Sequence, residues 1–309
     1  MTRSAPPPDT SAAASVPRLV ASCWTSAGDT APGRPDERSP FAFEDRVRAI
    51  ADTGWQGLGL WHADLLEIDR TIGFEAAGAL LADAGLGIVE VEFLADWWTD
   101  GAVRADSDRR RELLFRAASP LGVRHVKTGL GMGGAVPDRD VLLRQFRRLA
   151  AEAADAGLLI ALEPSPFSNL PTLRDGVEFV AEADHPHAGL MVDTWHVVRG
   201  GTSYAELPAL LPVELVFGVE LDDGRRTPRG PAFEDTIHNR MFCGEGEFDV
   251  PSFIATLLRI GYAGAWGVEI ISDELRAMPL TDGLRRARAA TLDCFRAASG
   301  GALPPAGER

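Results

Sequence analysis

Short apolar runs alternate with longer segments of helical period along most of the chain. The runs occupy residues 19–24, 57–61, 86–93, 123–127, 158–163, 188–192, 215–221 and 265–271. Turn signals such as Thr53-Gly54, Ala84-Gly85, Leu121-Gly122 and Ala156-Gly157 lead into them, which predicts buried strands. Between them, residues 43–52, 74–84, 106–119, 138–156, 173–183, 204–211, 250–260 and 282–298 carry apolar positions at i, i+3 and i+4, the pattern of one helix face packed on a core. Several of these segments end in a glycine just ahead of the next strand, where a helix stops most easily.

Strand and helix alternating eight times predict an α/β fold, a (β/α)8 TIM barrel with all strands parallel. An open doubly wound sheet would more often place G-x-G-x-x-G after its first strand. Here that strand runs into Ser26-Ala27-Gly28-Asp29 and a Pro-rich loop. The barrel is expected over residues 18–298. Residues 1–17, rich in Pro, Ser and Ala, and residues 299–309, with two glycines and two prolines, read as disordered tails.

Composition narrows the function classes. With 45% apolar and 25% charged residues, the 309-residue chain is of globular type. Its net charge of -14 argues against a nucleic-acid partner. The three cysteines, Cys23, Cys243 and Cys294, have neither disulfide nor thiolate-zinc spacing, so a reducing, cytoplasmic setting is expected. No apolar stretch reaches membrane-spanning length, and none near the N-terminus suits a signal peptide.

Chemistry in such a barrel sits at the C-terminal ends of the strands. Four successive strand ends supply carboxylates there: Glu163, Asp193, Glu220 and Glu269. Converging acids repel one another and are costly to bury, and a divalent cation relieves both problems. Oxygen ligands favour Mn2+ or Mg2+ over Zn2+.

The segments Ala161-Leu162-Glu163-Pro164, Leu190-Met191-Val192-Asp193-Thr194-Trp195-His196, Arg240-x-x-Cys243-Gly244-Glu245-Gly246-Glu247 and Gly261-Tyr262-Ala263-Gly264-Ala265-Trp266-Gly267-Val268-Glu269 resemble the sugar phosphate isomerase/epimerase family of xylose isomerase-like TIM barrels. The resemblance runs from about residue 18 to 297 and is strongest after residue 157. It implies that Glu163, Asp193 and Glu269 bind the metal, that His196 and Arg240 contact substrate oxygens, and that Glu163 and Glu269 double as acid and base. It also implies a histidine ligand on strand seven. This chain has Glu220 there, which gives an all-carboxylate site harder in its metal preference.

Other strand ends add His62 and Trp98 as candidate substrate contacts, and Lys127 either as another or as a buried partner of Glu92. The loop 222–240, with Arg225, Arg226 and Arg229, is a candidate cap over the site. The expected activity is metal-dependent isomerisation or epimerisation of a keto-sugar or cyclitol through an enolate. The alternative is a lyase, a dehydratase of the inosose or dehydroshikimate type or a C-glycoside-cleaving enzyme, because both begin by removing a proton next to a carbonyl. An endonuclease IV-like DNA-repair barrel would need a histidine-rich zinc cluster, and this chain has six histidines in all. The expected partner is a small polyol or sugar-like substrate, with no nucleic acid and no membrane; relatives of this type are often homo-oligomers.

Overall fold

A computed structural model describes residues 16–131 and 138–300. Eight parallel strands close on themselves: β1 Leu19–Ala21, β2 Gly57–Trp61, β3 Ile88–Leu94, β4 Val123–Thr128, β5 Leu159–Leu162, β6 Ala188–Asp193, β7 Val216–Leu221 and β8 Trp266–Val268. Pairing of Leu19 with Trp266 and of Ala21 with Val268 shuts the cylinder. Of the expected tails, residues 1–15 and 301–309 lie outside the described residues, and Ser299 caps the last helix by donating its N–H to the Phe295 carbonyl.

The helices form where their apolar stripes can face the strands. Leu173–Ala183 begins with a capping box, in which Thr172 Oγ1 accepts from the Asp175 N–H while the Asp175 carboxylate accepts from the Thr172 N–H. It then buries Leu173, Val177 and Val180 on one side. In the neighbouring helix Arg139–Asp155, Leu142, Phe146, Leu149 and Ala153 do the same, and the Phe146 and Phe179 rings meet at 5.2 Å. Burying each such side chain contributes roughly 1.5–3 kcal/mol.

Several boundaries differ from the sequence pattern. The run 19–24 stops as a strand at Ala21, and Cys23–Ser26 forms one helical turn held by Arg46, which donates to Ser26 Oγ and to the Cys23 carbonyl. Strand eight ends at Val268, so Glu269 stands just beyond it, as Glu163 stands just beyond β5. Helix 106–119 extends to Gly101–Leu121, and 204–211 shrinks to Leu207–Leu210. The helices His62–Thr71 and Thr194–Arg199 follow strands directly, Asp273–Arg276 is separated from β8 by four residues, and Ala232–His238 lies within what the pattern read as a loop. These short or weakly periodic helices lie over the strand ends or between other helices, where tertiary contact outweighs local pattern.

Inside the cylinder the polar residues come in pairs two positions apart: Glu90 and Glu92 on β3, His125 and Lys127 on β4, Glu220 with Asp222 on and just past β7. Side chains two apart share a strand face, so each pair lines the interior. Glu90 and His125 sit toward the N-terminal ends of the strands, with His125 Nε2 3.8 Å from Glu90 Oε1. The second members sit one layer higher, at the mouth.

Candidate active site

The mouth gathers side chains from six strands. Glu92, Lys127, Glu163, Asp193, Glu220, Asp222 and Glu269 are all at most 9% exposed. The Lys127 ammonium lies 2.7 Å from Glu92 Oε2, 2.9 Å from Glu220 Oε2, 2.9 Å from Glu269 Oε1 and 3.8 Å from Glu163 Oε1. Arg240, placed just after the helix Ala232–His238, answers from the other side. Its Nη1 is 2.8 Å from Asp193 Oδ2 and 3.1 Å from Glu269 Oε2, and it also donates to Asp222. Trp195 backs this guanidinium, its ring 5.4 Å away.

Asp193 is positioned by its own helix. As N-cap of Thr194–Arg199 it accepts from the Trp195 and His196 N–H groups through Oδ1, which leaves Oδ2 for the mouth. The same turn of helix carries His196 inward, with Nε2 3.9 Å from both Glu163 Oε2 and Asp193 Oδ2. Glu220 fits beside β8 because residue 267 is glycine: a Cβ there would lie 2.9 Å from Glu220 Cγ.

Charges here are unbalanced. Burial pushes the Glu163 carboxyl up to about 8 and Glu92 up to about 7, against the pull of Lys127. Burial and Glu269 together hold Glu220 well above the carboxylate range, and burial and Asp193 do the same for Asp222. For Asp193 burial also works upward, but Arg240, His196 and Lys127 together outweigh it and the group falls to about 2. Burial lowers His196 to about 4, so its imidazole is neutral. Two buried cations are too few for six acids.

A divalent ion fits this deficit. Glu163, Asp193, Glu220 and Glu269 each offer an oxygen, and the four atoms lie within 4.8 Å of one another. Glu163 Oε1 is buried with no hydrogen-bond partner among the described residues, which is costly unless a cation answers it. Glu163, Asp193 and His196 form a second, overlapping group.

Above the acids opens a cavity of about 680 Å³. Its walls are aromatic: Trp24, Trp61, Phe93, Trp98, Phe167 and Phe233. Its floor holds Glu92, Lys127, Glu163, His196, Arg240 and Glu269, and Ser165, Asn169 and Arg110 add polar edges.

The structure thus brings together Glu163, Asp193, Glu220, Glu269, His196, Lys127, Arg240 and Trp98. His62 is not brought there. It opens the helix His62–Thr71, turns behind Trp61 with ring centres 4.7 Å apart, and does not line the cavity. The Nη1 of Arg240 is occupied by carboxylates, and Lys127 is the partner of Glu92 and of three further acids, not a group at the cavity surface alone. Of the loop 222–240, the helix Ala232–His238 brings Phe233 to the cavity wall. Asp222 is the acid that strand-end reading passed over. Its signal is its place two residues after Glu220 on the same face. Trp61, Phe167 and Phe233 gave no such signal: Trp61 ends β2, Phe167 lies on a loop and Phe233 on a short helix.

A profile of the family described as xylose isomerase-like TIM barrel matches residues 47–294. Among curated proteins, a 3-dehydroshikimate dehydratase of Pseudomonas aeruginosa is 29% identical over 250 residues, covering 78% of this chain and 38% of its own length. The chain therefore spans well under half of that relative. An inosose isomerase of Bacillus subtilis is 24% identical over 139 residues, 44% of this chain and 49% of the relative. Among solved structures, the IOLI protein with a bound zinc atom superposes with a TM-score of 0.76 at 16% identity, over 90% of this chain and 98% of that one, a likeness of fold.

Proposed function

The chain belongs to the xylose isomerase-like TIM barrel family, and on that premise we propose that it is a divalent-metal-dependent lyase that removes water from a cyclic keto-polyol of the 3-dehydroshikimate type. Isomerisation of a keto-cyclitol is the second reading. Similarity to the dehydratase extends over 78% of this chain and that to the isomerase over 44%, which reverses the order expected from the strand-end motifs.

The observation that carries the reading is Glu163 on the floor of an aromatic-walled cavity: its Oε1 has no hydrogen-bond partner among the described residues, and its Oε2 lies 3.9 Å from His196 Nε2. Glu163, Asp193, Glu220 and Glu269 would hold the metal. When bound, it would supply Lewis-acid polarisation of the substrate carbonyl and acidify the adjacent C–H. The chain's own groups do the rest. Lys127 and Arg240 hold the two oxygens of Glu269, which favours Glu163 with His196, and not Glu269, as the proton-moving pair. One takes the proton from the carbon next to the carbonyl. The other hands a proton to the departing β-hydroxyl. A C–H and a C–O bond break, a C=C bond forms, and water leaves. The Trp and Phe walls cover the ring faces of the substrate and keep bulk water from the floor.

The test is to incubate the Mn2+-loaded protein with 3-dehydroshikimate and, separately, with an inosose, following ultraviolet absorbance and products. Growth of a conjugated product supports elimination. A new keto-cyclitol without that absorbance moves the assignment to isomerisation, and turnover of neither defeats both. Bound metal in the wild type and in Glu269→Gln tests the ligand set: equal content would remove Glu269 from it.

A further inference from the structure

We propose that Lys127 is an internal counter-cation that competes with the dication for the carboxylates at the mouth, and that its exchange between this cradle and Glu92 sets metal affinity. This rests on the metal-dependent reading above and adds a role for one residue of the chain.

The geometry is specific. Both Glu220 oxygens receive hydrogen bonds from the Lys127 ammonium, at 3.0 and 2.9 Å, and Glu269 Oε1 receives a third at 2.9 Å. Glu163 Oε1 is 3.8 Å from the same nitrogen. Three of the four acids able to hold a metal therefore surround this one nitrogen, and the four candidate oxygens span no more than 4.8 Å. A dication binds carboxylate oxygens at about 2.0–2.2 Å. Placed among these oxygens it would stand against a like charge at short range in a buried setting, so the two cannot share the cradle. Glu92 offers the way out. It lies outside the metal-capable set, on β3 beside β4, and its Oε2 is already 2.7 Å from the ammonium. Lys127 can give up Glu220 and Glu269 while keeping that bond. The arrangement also explains why an acid is tolerated at position 220: Glu220 on β7 is met by Lys127 on β4, with β5 and β6 between the two strands.

A merely structural ion network makes a different forecast: removing the lysine would lower stability and leave metal affinity alone or weaken it. The experiment measures Mn2+ binding by calorimetry and by the loss of the free-ion electron paramagnetic resonance signal. It uses the full chain stripped with EDTA and dialysed, as wild type, Lys127→Met, Glu92→Gln and the double variant. Lys127→Met is expected to bind Mn2+ at least about tenfold more tightly. Glu92→Gln, which removes the refuge, is expected to bind several-fold more weakly. In the Lys127→Met background, Glu92→Gln should change affinity by less than about twofold, because Glu92 acts through the lysine. Melting curves add a second readout: metal-free Lys127→Met melts below wild type, and Mn2+ raises its melting temperature by more than it raises that of wild type. If Lys127→Met does not fold without metal, the wild type and Glu92→Gln still decide, since equal or tighter binding by Glu92→Gln overturns the proposal. Equal or weaker binding by a folded Lys127→Met overturns it too. Binding by Lys127→Met and the double variant, with none by the wild type or Glu92→Gln, supports it in its strongest form. No binding by any form overturns the metal reading along with it, whereas equal binding by all forms overturns the proposal only.

Discussion

Gly267 and Glu220 stand side by side on β8 and β7, and the absent side chain of the glycine is the space that the Glu220 side chain uses. A Cβ at 267 would come within 2.9 Å of Glu220 Cγ and within 2.7 Å of Ser22 Oγ. Gly267→Ala should therefore overpack the mouth, at a cost of about 1–3 kcal/mol, and displace Glu220 from Lys127. Urea unfolding would show the first effect. Weaker Mn2+ binding would show the second, and wild-type values for both would mean the mouth yields freely.

Glu163→Gln and His196→Asn remove the two proposed proton carriers while keeping near-equal size. Each is expected to lower turnover about 100- to 10,000-fold with little change in melting temperature. Steady-state rates with whichever of 3-dehydroshikimate or an inosose the wild type turns over, alongside a melt, check this. Near wild-type turnover in either variant would reassign that residue.

Glu90 and His125, toward the N-terminal ends of the strands, make stability depend on pH in opposite senses. Burial pushes Glu90 up to about 7 and His125 down to about 3. For Glu90 the folded value lies above the ordinary 4.5, so its contribution is complete below that pH and is lost as pH rises through about 7. For His125 the folded value lies below the ordinary 6.5, so stability is lost as pH falls from there toward about 3. Glu90→Gln should accordingly be more stable than wild type at pH 8, by at most about 3 kcal/mol, with the advantage gone near pH 4. Urea midpoints across that range measure it. A constant difference between the two proteins at all pH values would rule out Glu90 as the source.

Arg46 and Asp64 form a buried pair joined across 18 positions of sequence, and the arginine also ties down the turn that carries Trp24. Asp64→Ala leaves the guanidinium without its counter-charge and should cost about 3–5 kcal/mol. Replacing both, as Arg46→Met with Asp64→Leu, should cost less than Asp64→Ala alone. A double variant that proves the less stable would show that the arginine's bonds to Ser26 and to backbone carbonyls dominate.

Most of the barrel was legible because parallel strands buried on both faces read as apolar runs, and long packed helices keep their period. The acids at the strand ends were legible for a related reason: Glu163, Asp193, Glu220 and Glu269 interrupt or end apolar runs with no turn to explain them. What the pattern concealed was pairing. Nothing local to Lys127 says that its ammonium reaches acids on β3, β5, β7 and β8, because those contacts join residues as far apart as 142 positions. His62 misled for the converse reason: ending a strand is no guarantee of facing the mouth when a helix begins at that same residue. The short helices Cys23–Ser26, Thr194–Arg199 and Ala232–His238 are too brief for periodicity to reveal, yet they deliver Trp24, His196 and Phe233.

The charge balance at the mouth is a property of the closed ring and of no single strand. The loop that carries Phe167 and the short helix that carries Phe233 are open to exchange for a new substrate without disturbing it. A strand end is not: transplanting β4 or β7 alone from another barrel would import or delete a charge whose counterpart stays behind. Substitutions at 127 and 220 should therefore be tolerated together far more readily than one at a time, and engineering of this scaffold does best to treat the two positions as one unit.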